Sequence, residues 1–192
     1  MITQYAIRRG AARKVLLLTL LVFSCMTLQA QSSPQAKARV AEIRKMYADA
    51  KDLVEKNGKG NTPRSDTEIV SQYVVPGTGP TQEVIHYYYE LQSDGELGVP
   101  FYQPYLITRK YNVAAREFYQ EFLYDKKSHE LVFAFLQEKL PNGSANETRY
   151  YWGESGMVHE AVKGERLMDE VFTLRKGREL VDALNMLMNQ DY

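Results

Sequence analysis

Cysteine is almost missing from this chain of 192 residues: the only one is Cys25. A mature chain that has lost Cys25 can form no disulfide, and it offers neither a thiol nucleophile nor a thiolate ligand for a metal. Long apolar runs are missing too. The run Val15–Phe23 falls well short of the ~20 apolar residues that a membrane-spanning helix needs.

Residues 1–30 have the order of segments found in a secretory signal peptide. A basic stretch precedes the apolar run Val15–Phe23, and small or polar residues follow as far as Ala30. We therefore expect cleavage after Ala30 and a periplasmic or secreted mature protein. The alternative is a lipoprotein anchored through Cys25, because residues 22–25 resemble a lipidation signal.

The charge balance changes when this leader is removed. The full chain has 24 basic and 24 acidic residues, and the leader carries four of the basic residues and none of the acidic ones, so the mature chain has a net charge of −4. A mildly acidic protein is a poor partner for nucleic acid or an anionic membrane. We expect no nucleic-acid partner, and membrane attachment only through a lipid on Cys25.

The mature sequence predicts one α+β domain, residues 31–192. Ser33-Pro34 suits the N-cap and first position of a helix. Apolar residues then recur every three or four positions until Asn57-Gly58. Alternating segments follow, and they predict an antiparallel meander of six or seven strands, open or curled.

The centre of the meander is Glu117–Val162, where two tight polar turns predict two β-hairpins. The turns are Asp125–His129 and Gly153–Gly156. The strand Leu131–Lys139 between them is apolar on both faces, which is typical of an interior strand. Simple alternation places Leu131, Phe133 and Phe135 on one face and Val132, Ala134 and Leu136 on the other.

The C-terminal region predicts a closing helix. Leu167–Phe172 favours a helical turn or two, Gly177 interrupts, and Glu179–Gln190 reads as the terminal helix. Its predicted buried side consists of Leu180, Leu184, Leu187 and Met188.

No catalytic motif accompanies the three histidines. His129 lies in a turn where a positive φ is expected, and His86 lies in a strand. His159 and Glu160 are strand neighbours that face opposite sides. We therefore predict no catalytic residue, no metal site and no cofactor. Asn146-Glu147-Thr148 matches a glycosylation sequon, but polar loop chemistry is the simpler interpretation.

Tyrosine is abundant, with 14 in the chain, most of them in predicted strands. Ordinary packing on a half-buried sheet explains such a pattern. The functional alternative is an amphipathic aromatic platform, supplemented by the predicted long loop Ser93–Pro104 with its aromatic residues. The candidate ligand-binding residues are Tyr87, Tyr89, Phe101, Tyr102, Tyr151 and Trp152.

Three functional hypotheses follow. The first is a non-enzymatic exported module that binds a protein, a peptide or a glycan through its aromatic sheet face or the Ser93–Pro104 loop. The second is a periplasmic hydrolase that uses a carboxylate such as Glu90 or Glu121 with His86 or His159. The third is a structural subunit that forms a homodimer through its sheet.

The basic leader, the Leu-Gln-Ala-Gln sequence at its end and the layout of a helix followed by a meander resemble small exported proteins of uncharacterised function from Bacteroidota. This resemblance implies export and an α+β domain. It implies no functional residue.

Overall fold

The opening helix begins at Pro34, as the preference of proline for the first helical position predicts. It belongs to a computed structural model that describes residues 33–58, 66–93 and 100–189. The predicted signal peptide, residues 1–30, lies outside the described residues together with Cys25. The described helices and strands belong to one compact unit, Pro34–Tyr192.

Seven strands form a single antiparallel sheet in which each strand pairs with its sequence neighbours. The predicted α+β meander is therefore confirmed, at the upper end of the expected strand number. In chain order the elements are α1 (Pro34–Gly58), β1 (Asp66–Val75), β2 (Gly79–Ser93), β3 (Pro100–Val113), β4 (Arg116–Tyr124), β5 (Leu131–Lys139), β6 (Ala145–Gly153), β7 (Gly156–Lys163) and α2 (Glu170–Met188).

The two helices pack on opposite faces of this sheet, which we call the α1 face and the α2 face. Ile43 of α1 is fully buried against a cluster that includes Leu123. The preceding residue of the strand, Phe122, points the other way and joins the cluster under Leu180 and Leu184 of α2. A strand with a helix on each side is apolar on both faces, which explains the continuous apolar run in β5.

Three β-bulges lie in one line across the sheet. The pairing skips one residue each on β3, β5 and β7, and the extra residues are Tyr105, Val132 and Val158. All three side chains join the cluster under α1. A bulge bends its strand and increases the local twist, so the aligned bulges bend the sheet along one line beneath this helix. The row of paired residues beside the bulges is Tyr88, Leu106, Leu123, Phe133, Tyr151 and His159.

The bulge in β5 corrects the predicted alternation of this strand. Phe133 lies opposite Leu123, whereas Leu131 lies opposite Tyr124, so Val132 is the residue without a partner of its own. As a result Leu131 packs on the α2 face and Val132 on the α1 face, the reverse of the expectation. Uniform alternation fails here because an inserted residue shifts all later side chains by one position.

The predicted loop Ser93–Pro104 is also wrong in extent. Strand β2 continues to Ser93 and β3 begins at Pro100, so only residues 94–99 lie outside the described strands. Pro104, the last residue of the predicted loop, lies within β3 and is tolerated there because it sits at the bulge opposite Tyr89, where the regular ladder is already interrupted.

Alternate side chains of β6 form hydrogen bonds with the segment between β7 and α2 and hold it on the α2 face. Asn146, Thr148 and Tyr150 bond in turn to the backbone of residues 165, 167 and 168, at 3.1, 3.2 and 2.7 Å. The Trp152 indole completes the series with a 3.0 Å bond to Glu170. Each such bond contributes about 1 kcal/mol. Asn146 is thus a buried strand residue, which corrects its interpretation as a loop residue.

Helix α2 is continuous through Gly177, contrary to the predicted interruption. The absence of a side chain lets the helix approach the sheet closely, since a Cβ at this position would lie 2.9 Å from Leu131 Cδ2. The Gly177 carbonyl accepts a 2.8 Å bond from the Tyr124 hydroxyl. At the far end, Leu187 was expected to be buried but is 42 % exposed.

Candidate functional site

Four of the six aromatic candidates are part of the protein core. Tyr87 is completely buried, and Tyr89, Tyr151 and Trp152 are 7, 4 and 4 % exposed. Tyr87, Tyr89 and Trp152 lie under α2, whereas Tyr151 lies under α1. Ordinary sheet packing accounts for all four, and a ligand could reach them only if a helix moved away.

Phe101 and Tyr102 are half-buried at the start of β3. Tyr102 makes an edge-to-face contact with Tyr89, with ring centroids 5.3 Å apart, and its backbone N–H donates to Asn185 Oδ1 of α2 at 3.4 Å. Phe101 lies 6.3 Å from the ring of His129. Phe101 and Tyr102 are therefore the two members of the predicted aromatic set that remain partly accessible.

The histidines take part in local packing. His86 pairs across the β1–β2 ladder with Glu68, at 2.5 Å, and its ring stacks on Tyr88. His159 packs on the ring of Tyr151, with centroids 5.5 Å apart. His129 has a φ of 61°, which confirms its predicted role in the turn.

Glu121 of β4 is a buried carboxylate whose charged partner, Lys51, lies on α1. Its side chain is 3 % exposed. It accepts hydrogen bonds from the hydroxyl of Tyr47, from the hydroxyl of Tyr119 at 2.5 Å and from Lys51 Nζ at 2.9 Å. Burial, and secondly the bond to Glu121, raises the pKa of both Tyr47 and Tyr119, so both phenols stay protonated and donate at neutral pH.

This arrangement fastens α1 to β4 and leaves Glu121 with little capacity for acid–base chemistry. A general base needs a lone pair directed at a substrate proton, whereas three internal donors already occupy both Glu121 oxygens. Glu90, the other candidate carboxylate, forms a surface ion pair with Lys126. Within the described part of the chain neither carboxylate contacts His86 or His159, so the geometry does not favour the hydrolase hypothesis. Among the described residues, no group of three or more His, Cys, Asp or Glu side chains is placed to hold a metal ion.

The first edge of the sheet, strand β1, is regular and has exposed apolar side chains from Val70 onward. It pairs with β2 over all ten residues without a register shift, and it contains no Pro, Lys or Arg. Val70, Tyr73 and Val74 are 51, 41 and 72 % exposed. None of the described strands pairs with its outer side, so alternate backbone N–H and C=O groups there face away from the sheet.

The second edge, strand β7, carries the features that natural proteins use to prevent strand addition. The bulge at Val158 interrupts its ladder, and the strand ends with the charged residue Lys163. The chain that follows folds back, since the Arg166 guanidinium pairs with Glu160 at 2.7 Å. The two edges therefore differ in the regularity of their ladders and in their basic residues.

A surface groove of about 480 Å³ lies at the turn end of the β1–β2 hairpin. The pairing register places Gln72, Val74 and Gln82 on the α1 face, and the backbone N–H of Gln82 donates to Asn112 Oδ1 at 3.0 Å. The groove offers amide groups and apolar surface, without a charged residue or a histidine. Its lining residues are Gln72, Tyr73, Val74, Pro80, Thr81, Gln82 and Asn112.

Sequence alternation did not single out this edge. The alternating pattern of β1 groups Ile69, Tyr73 and Val75 on one face but does not show that the strand lies at an edge. The available signal is the absence of Lys, Arg and Pro from ten consecutive strand residues, and it becomes informative only when the strand order is known.

Comparison of the chain with protein-family models, with curated proteins and with solved structures found no match. Neither α1 nor α2, the helices that the structure describes, is long and apolar enough to cross a membrane.

Proposed function

We propose that this domain is an exported, non-enzymatic interaction module that binds an extended segment of a partner along the free edge of β1. The observation that carries the proposal is the contrast between β1, which is in unbroken register and has no lysine, arginine or proline, and β7, which has a bulge and ends in Lys163. Strand addition uses backbone hydrogen bonds for affinity and side-chain pockets for specificity. The β1–β2 hairpin offers both, because the groove lies beside the strand.

The N-terminal sequence supports export. Residues 1–30 have the composition of a signal peptide, so the domain acts in the periplasm or outside the cell. The environment of Glu121 supports the non-enzymatic part of the proposal, since internal donors occupy both oxygens of this carboxylate. The charge of the mature chain supports a protein or peptide partner over a nucleic acid.

The test uses the mature chain, residues 31–192, and a neutral ten-residue peptide of alternating threonine and valine. Binding is measured by fluorescence anisotropy, and the protected amides are mapped by hydrogen exchange. We expect slower exchange in Asp66–Val75. Two further peptides carry N-methyl groups on odd or on even residues, and only one of them should lose binding, because only one set of N–H groups faces β1.

Val74→Lys should weaken binding, whereas Val171→Lys on α2, at an equally exposed valine (73 % against 72 %), should not. Binding that tolerates both N-methylated peptides, or protection that spares β1, would contradict the proposed function.

A further inference from the structure

The charge distribution of the β1–β2 hairpin differs from that of the whole chain. Residues 66–93 contain four acidic residues and no lysine or arginine, although the chain has 24 basic residues. Three of the four acids have partners in the fold: Glu68 with His86, Glu83 with Arg109 and Glu90 with Lys126. Glu83 and Glu90 are matched by cationic side chains, so the acids that would face a strand beside β1 are Asp66 and Glu68 of β1 itself.

The acidic and apolar groups are sorted along β1. Every second residue of the strand faces the α1 side, and in chain order these residues are Asp66, Glu68, Val70, Gln72 and Val74. The first two are acidic and the last three are uncharged. The Glu68 side chain is 52 % exposed, and Val70 and Val74 are 51 and 72 % exposed. A strand added to β1 would meet carboxylates at one end and valines at the other.

We propose that the partner of β1 is an extended peptide segment with basic residues at one end and alternating apolar residues along the rest; this rests on the proposed strand-accepting function. The basic side chains lie beside Asp66 and Glu68. The apolar side chains cover Val70 and Val74, and the last of them enters the groove lined by Gln72 and Gln82.

A second copy of the chain does not supply this complementarity. In a two-fold antiparallel pair of β1 strands centred on Val70, Glu68 lies opposite Gln72 and Asp66 lies opposite Val74 of the other copy. No basic residue of the second β1 then faces a carboxylate, because the strand contains none. Charge complementarity therefore favours a different, cationic segment.

The size of the charge effect follows from the exposure of the pairs. Exposed ion pairs are weak, at roughly a few tenths of a kcal/mol up to 1 kcal/mol each. Two of them correspond to a preference of about fivefold for a basic over a neutral peptide. An acidic peptide is disfavoured by a similar factor, and both effects shrink at high salt. The backbone bonds and the valines supply the affinity common to all three.

The experiment compares three ten-residue threonine–valine peptides that carry two lysines, two serines or two glutamates at one end. Each is made with the variable pair at the N-terminal and at the C-terminal end, because the incoming strand can run in either direction. Anisotropy titrations with the mature chain should show about fivefold tighter binding of the lysine peptide in one orientation. The preference should disappear in Asp66→Asn/Glu68→Gln and in 0.5 M salt.

The matched control variant is Glu117→Gln, an exposed acid on β4 (56 %), which should keep the full preference. Equal binding of the three peptides, with N-methyl sensitivity retained, would overturn the partner chemistry and leave the strand-accepting function standing. Loss of that sensitivity, or binding of none of them, would overturn both. A concentration-dependent dimer whose β1 amides are protected without peptide would show that a second copy is the occupant, and would also overturn the inference.

Discussion

Strands β1 and β7 form the two edges of the same sheet, but they differ in the features that oppose strand addition. β7 has eight residues, a bulge at Val158 and a terminal Lys163, and the chain after it returns to pair Arg166 with Glu160. β1 has ten residues in unbroken register and no basic residue. The bulge and the lysine of β7 show that this fold can accommodate such devices, so the lack of a bulge and of a basic residue in β1 is a property of that strand itself. We interpret it as the capacity to accept a strand.

The largest expected effect concerns the segment that leaves β7. Gly164 has a φ of +76°, and a Cβ there would lie 2.2 Å from Asn146 Oδ1. Gly164→Ala should lower the free energy of unfolding by about 3–5 kcal/mol, because it combines left-handed strain with loss of the buried Asn146 hydrogen bonds. Urea denaturation measures this. Gly143→Ala has the same strain without a contact, since nothing lies within 4 Å, and should cost only about 1–2 kcal/mol. Equal losses would contradict the role of Asn146.

The second prediction removes the bulge from β7. Deletion of Val158 should cost about 1–2 kcal/mol of stability through lost packing, and it should also increase self-association, because the edge becomes regular. Val158→Ala loses most of the same packing but keeps the extra residue. Sedimentation velocity should therefore show increased association for the deletion and not for Val158→Ala. The same behaviour in both variants would mean that the bulge does not protect this edge.

The third prediction adds a positive charge to the β1 edge. Val70→Lys and Val74→Lys should each change stability by no more than about 0.5 kcal/mol, because both side chains are largely exposed. They should nevertheless raise the solubility limit, since a lysine on an edge strand opposes strand pairing. Val162→Lys on β7, 44 % exposed in the native protein, is the matched control. If it raises solubility as much as the β1 variants do, the contrast between the edges is wrong.

The smallest effect concerns Glu147 of β6, which pairs with Arg149 on the same strand and with Lys163 on β7. Burial alone would raise the pKa of Glu147, but hydrogen bonds and charge from Arg149 and Lys163 hold the pKa below its ordinary value of 4.5. The stabilisation is therefore present above pH 4.5 and is lost as the pH falls through the depressed pKa. Glu147→Gln should cost about 0.5 kcal/mol at pH 7, and urea titrations should show this difference vanish in strong acid. A difference that does not change with pH would exclude the charge as its source.

Local pattern was sufficient for most of the fold. The polar turns Asp125–His129 and Gly153–Gly156 correctly marked two hairpins, and Ser33-Pro34 marked the start of α1. His129 was correctly placed in a turn with positive φ. These features depend on neighbouring residues in the chain, which is why sequence alone predicts them.

The errors have a common physical cause, since each depends on a partner distant in sequence. The face of Val132 is set by its register against Leu123, and Pro104 is tolerated because of a bulge opposite Tyr89. Gly177 lies inside a helix and is glycine because Leu131 and the Tyr124 hydroxyl occupy the space where a side chain would be. Sequence alone does not distinguish a glycine that ends a helix from one that lets a helix approach a sheet closely.

The candidate site shows the same division. The six aromatic residues were selected by type, and the burial of Tyr87, Tyr89, Tyr151 and Trp152 follows from where α1 and α2 pack. The edge surface of β1 was not selected, because Val70 and Val74 look like any alternating apolar pair.

By itself the sequence determined the α+β class, the run of hairpins and the acidic, lysine-free character of residues 66–93. Those properties depend on composition and on spacing along the chain. Only the tertiary structure decided that β1 lies at the edge, that the aromatic residues lie beneath the helices, and that Glu121 is occupied by Tyr47, Tyr119 and Lys51. The reason is that exposure and hydrogen bonding depend on which strands and helices meet, and residues such as Tyr47 and Glu121, 74 positions apart, meet only in the folded chain.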